Sequence, residues 1–72
     1  MTFNQIRKLK HGQRVYWVPE GESKKAFGTI FRDTFAGVHM MFVEWDDRVS
    51  DIPCRTYCAE ENADSLIHLR KA

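Results

Sequence analysis

Seventy-two residues with a formal net charge of +1 bound the chain to one small domain with a thin core, too small for a large enclosed active site. A composition 43% hydrophobic and 29% charged, with Phe, Tyr and Trp spread along the chain, argues against disorder, and the near-zero net charge gives no global drive toward nucleic acid. No apolar run approaches the roughly 20 residues of a membrane span, and MTFNQIRKLKHG lacks the apolar core and cleavage site of a signal peptide, so the expectation is a cytoplasmic protein with no membrane partner.

In chain order, Phe3, Ile6 and Leu9 recur every three residues in a lead-in over 1–10, either one amphipathic turn or an extended arm ending before Gly12. QRVYWV has the β-branched and aromatic content of a first strand, stopped by Pro19 and Gly21 in the polar loop PEGESKK. AFGTIFRD predicts a second strand around Gly28, because a glycine inside a strand marks a bulge or a close backbone approach. After a turn over Asp33 to Gly37, VHMMFVEW alternates Val38, Met40 and Phe42 on one face with His39, Met41, Val43 and Trp45 on the other.

Residues 46 to 51 are polar and loop-like, and VSDIPC allows only a short edge strand because Pro53 has no amide proton. AEENADS suits a helical turn, and LIHLRK reads as the last strand. Five short strands with a glycine bend and one helical turn predict an all-β, small curled antiparallel barrel over residues 11–72.

HGQRVYWV, FGTIFRD, MFVEWDD and ENADSLIHL together resemble the SH3-like small β-barrels of bacteria, including Tudor, KOW and photosystem-accessory relatives. In those a glycine and a valine open the first strand, a glycine bends the second, a V-x-W-D run ends the third, and the last strand follows a short helical turn. The resemblance implies a core of Val15, Trp17, Ile30, Val43, Trp45, Leu66 and Leu69, with the 19–26 and 46–52 loops at the barrel rim. One SH3-like family is enzymatic, the plasmid-borne dihydrofolate reductases, whose pore motif V-Q-I-Y-P stands here as VSDIP without its glutamine and tyrosine. Shared shape does not carry that activity over.

Glu44, Asp46, Asp47 and Asp51 read as solvated acids of a strand end and loop rather than as a catalytic pair, which needs one desolvated member. Cys54 and Cys58 suit free thiols, a short cross-link or half a metal site, but His11, His39 and His68 lack paired ligand spacing. No nucleophile elbow, Walker loop or dinucleotide fingerprint occurs. The expectation is no enzyme, no cofactor and no metal.

Two surfaces remain as binding candidates. Residues 1–36 carry seven Lys or Arg against three acids, and residues 37–72 carry four against seven, so the first half is basic. Arg7, Lys8, Lys10, Arg14, Lys24, Lys25 and Arg32 interleave with Tyr16 and Phe27, the pairing of cations for phosphates and rings for bases that DNA- or RNA-binding barrels use. Alternatively Met40 and Phe42, with Tyr57, form an outward apolar face for a protein partner or a homo-oligomer, unless Phe3, Ile6 and Leu9 fold back to cover it.

Overall fold

The computed structural model describes residues 1–18, 24–46, 55–62 and 66–72. It is an antiparallel sheet of five strands, β1 Arg14–Trp17, β2 Ala26–Phe35, β3 Val38–Trp45, β4 Arg55–Tyr57 and β5 Arg70–Lys71, preceded by a single helical turn, α1 Phe3–Ile6. The spatial order is β4-β3-β2-β1-β5, and among the described residues β4 and β5 are two separate edges, so the described sheet is not closed. A 3-10 turn, Glu60–Asn62, lies before the last strand, within the acid-rich segment expected to turn.

The third strand occupies its predicted residues. The second runs two residues past Asp33, because Phe35 pairs with Val38 and the reversal narrows to Ala36 and Gly37. Both have positive φ, 51° and 79°, the type I′ geometry whose twist matches that of the flanking strands. The short strand expected at 49–54 lies outside the described residues, and β4 begins at Arg55. The last strand is shorter than LIHLRK suggests. Leu69 N–H donates to Leu66 O at 2.9 Å, and this turn directs both leucines into the core before β5 starts at Arg70.

Alternation on the sheet decides what is inside. Val15, Ile30, Met41, Val43 and Trp45 share the inner face with Cys58, Leu66 and Leu69, and Trp17 packs against them half-buried. Ile6 and Leu9 join the same cluster, at 0% and 3% exposure. The lead-in therefore covers the inner face, and not the Met40 and Phe42 face that the sequence left open to it. Thr2 caps its helical turn reciprocally with Gln5. Arg32 holds the far end: its Nε donates to Leu9 O at 2.6 Å and its Nη2 to Arg7 O.

Candidate functional site

The outer face follows from the register. Each pair of opposed residues puts its side chains on the same side of the sheet, and every second residue along a strand returns to that side. Arg70, Tyr16 and Phe27 thus make one row across β5, β1 and β2. Arg14, Thr29, Glu44 and Arg55 make the next across β1 to β4. Phe31, Phe42 and Tyr57 make a third across β2 to β4. Two aromatic rows flank one row of charges.

The first row opens into a groove of about 330 Å³ lined by Tyr16, Val18, Lys25, His68 and Arg70. The Lys25 ammonium lies 4.6 Å from the centre of the Tyr16 ring, a cation–π contact. Tyr16 and Phe27 sit 5.9 Å apart at 45°, and the Arg14 guanidinium lies 6.0 Å over Phe27. Phe27 is 40% exposed, so rings and cations meet in the open.

The middle row is internally neutralised. Arg14 Nη1 donates to Asp46 Oδ1 at 2.7 Å and to Thr29 Oγ1 at 2.7 Å, and its Nη2 reaches Asp46 Oδ2. This hydrogen-bonded pairing raises Arg14 and holds Asp46 below the usual carboxylate range. Arg55 Nη2 pairs with Glu44 Oε2 at 3.2 Å. In the third row Phe42 and Tyr57 lie 5.5 Å apart, and His11 packs edge-on to Phe31 at 5.1 Å.

Apart from Arg14 and Arg32, the basic residues read from the first half divide into two groups. Lys24 and Lys25 are exposed at the start of β2, next to Tyr16 and Phe27. Arg7, Lys8 and Lys10 are exposed on the lead-in, which Arg32 anchors seven residues along β2 from Lys25, about 23 Å at 3.3 Å per residue. Arg32 itself spends its donors on Leu9 O, Arg7 O and His39 Nε2. Arg70 and His68 were missed because they lie in the acidic half. Only the pairing of β5 with β1 brings them to the groove, a contact between chain ends with no local signature. Phe31 was legible, since it alternates with the core residue Ile30.

Met40 and Phe42 are half-buried on the outer side, and Tyr57 is 37% exposed. Cys58 is buried, and desolvation pushes its thiol up to about 11 despite a backbone hydrogen bond involving Val43 and the field of Arg32. Cys54, Asp47, Ser50 and Asp51 lie outside the described residues. Among the described residues no three His, Cys, Asp or Glu side chains converge as a metal site, and no helix is long and apolar enough to cross a membrane. No protein-family model, no curated protein and no solved structure matches this chain.

Proposed function

We propose that the chain is a small non-catalytic binding module that takes nucleic acid on the outer face of its sheet, at Tyr16, Phe27, Lys25 and Arg70. The observation that carries this reading is the Lys25 ammonium stacked 4.6 Å over Tyr16, beside Phe27 and opposite Arg70 in one open groove. Cations that bind phosphates and exposed rings that stack on bases are the two components sequence-tolerant recognition needs. Among the described residues, the acids Asp46 and Glu44 of this face are each paired with an arginine, which limits repulsion of a polyanion. Lys24 is exposed beside Lys25, whereas Arg7, Lys8 and Lys10 are exposed on the lead-in that covers the inner face and do not belong to this groove.

Anisotropy titrations of labelled DNA and RNA against salt test the reading. Affinity is expected to fall with a log–log slope of about −0.7 per neutralised phosphate on single strands, and Lys25→Ala with Arg70→Ala should flatten it by about 1.4. Undetectable binding near roughly 50 mM salt, or binding indifferent to salt, sinks it.

A second reading, protein interaction or self-association through Met40, Phe42 and Tyr57, is favoured by the tip of the β2–β3 hairpin. There Phe35 is 73% exposed and its cross-strand partner Val38 is 58% exposed, continuing the Met40 and Phe42 side. The mass in solution decides it. A monomer at high concentration rules out the homo-oligomer, and a dimer lost in a Met40→Ser, Phe42→Ser variant that still folds supports it.

A further inference from the structure

We infer that the nucleic acid taken by this face is single-stranded, running from the Tyr16–Arg70 groove past Phe27 and over the arginine-bearing middle row onto a second stacking platform made by Phe31, Phe42 and Tyr57. The inference rests on the nucleic-acid reading above and extends it to the class of polymer and the length of the site.

The geometry of the rows motivates it. Phe27 and Phe31 stand on the same face of β2, four residues and therefore about 13 Å apart. That span equals roughly four rises of a stacked strand at 3.4 Å each. The rings at both ends are accessible: Phe27 is 40% exposed, and Phe31 and Tyr57 are each 37% exposed. They are also held in place. Tyr57 leans on Phe42 at 48°, while the His11 ring meets Phe31 at 82° and is fixed by the Arg32 N–H donating to its Nδ1 at 2.9 Å. A fixed ring offers a base a surface that costs little ordering on binding.

The middle row suits a backbone crossing. Arg14 and Arg55 neutralise Asp46 and Glu44, and a guanidinium has five donors, more than these contacts use. Among the described residues, the contacts of Arg14 and Arg55 use fewer than five donors each, so part of each guanidinium can turn to a phosphate oxygen. The same row disfavours an apolar protein occupant, which would bury two ion pairs at a desolvation cost. A duplex keeps its bases inside and gives two separated rows of rings nothing to stack on. Asp33, pairing with Met40 one row beyond Phe31, places a negative charge at the hairpin end and bounds the track there.

The test is an anisotropy series with oligothymidylates from about two to about eight nucleotides, alongside a duplex of matched length. The wild-type protein should gain about tenfold or more in affinity once the strand reaches roughly five nucleotides and a base can stack on the second platform. Phe31→Ser and Tyr57→Ser should each remove most of that length-dependent gain while keeping the weak binding of the shortest oligomers, and Tyr57→Phe should retain it. Thermal melts identify any variant that fails to fold. For that case a Tyr57→Trp reporter on the otherwise intact face should be quenched by long oligomers and not by short ones. Equal affinity for the duplex, or serine variants with wild-type length dependence, overturns the single-strand track while leaving the groove standing. No binding of any polymer overturns both, and concentration-dependent dimerisation abolished by Phe31→Ser or Tyr57→Ser assigns the platform to a second copy instead.

Discussion

Gly28 faces Trp45 across the β2–β3 ladder, and a Cβ built at Gly28 would come within 3.0 Å of the indole Cε3 and 2.7 Å of Val43 Cγ1. The register runs through this pair without a bulge, so of the two roles a strand glycine can have, this one is close approach. Gly28→Ala must push Val43 or Trp45 out of a packed position. We expect a loss of about 1–3 kcal/mol in urea unfolding with the sheet retained; a variant as stable as the parent would show that the core can yield there.

Arg32 is expected to matter for stability more than for binding. Its guanidinium satisfies the Leu9 and Arg7 carbonyls where the lead-in turns toward β1. Arg32→Met keeps the stem but leaves those carbonyls without their charged donor, at a cost of about 1.5–3 kcal/mol. Lysine, with a single ammonium, should not restore the two-carbonyl fork. Hydrogen exchange over residues 3–9 should accelerate in both variants, and unchanged protection would remove this role.

Asp46 restrains Arg14. Asp46→Asn keeps the size of the side chain but ends the ion pair, leaving a guanidinium beside Phe27 free to meet phosphate. Affinity for single strands should rise, and the salt slope should steepen by about 0.7. The same pair predicts an acid-side trend. Asp46 titrates lower folded than unfolded, so its contribution is present above its ordinary value of 3.8 and is lost as pH falls through the lowered folded value.

Cys58 sets an alkaline limit. Its thiol titrates near 11 in the folded chain against an ordinary 9.0, so the unfolded chain releases its proton first. Stability from this group is complete below pH 9 and falls by on the order of 1–2 kcal/mol on the way to pH 11. Cys58→Ala should flatten that decline while lowering stability at neutral pH. Slow labelling by a thiol reagent at neutral pH, hastened by denaturant, reads the same burial.

Some of this is legible in the sequence itself. VHMMFVEW can be read to the residue because alternation with period two is a property of the extended backbone itself. Gly28, Ile30, Val43 and Trp45 follow from the same rule. LIHLRK misleads because Leu66 and Leu69, three apart, reach the core from a turn as well as leucines two apart would from a strand. Arg32 misleads for another reason: a lysine-and-arginine count cannot distinguish a cation facing water from one whose donors close a chain end. Arg70 belongs to the groove only through a pairing of β1 with β5 over more than fifty positions.

That pairing implies an order of events in folding. The β2–β3 hairpin closes between Phe35 and Val38, neighbours across a two-residue turn, and can zip outward to Gly28 and Trp45 on the microsecond scale typical of hairpins. The contact of Val15 with Lys71 requires almost the whole chain to form a loop, so its entropy is recovered last. Ala36 holds positive φ without the freedom of glycine, and Ala36→Asn, giving the Asn-Gly turn, should speed folding and leave unfolding nearly unchanged in a stopped-flow chevron. Removing Arg70 and Lys71 from β5 should do the opposite, hastening unfolding with little effect on folding. The groove at Tyr16 and Arg70 would then be the final part of the outer face to assemble, together with the Leu66 and Leu69 side of the core.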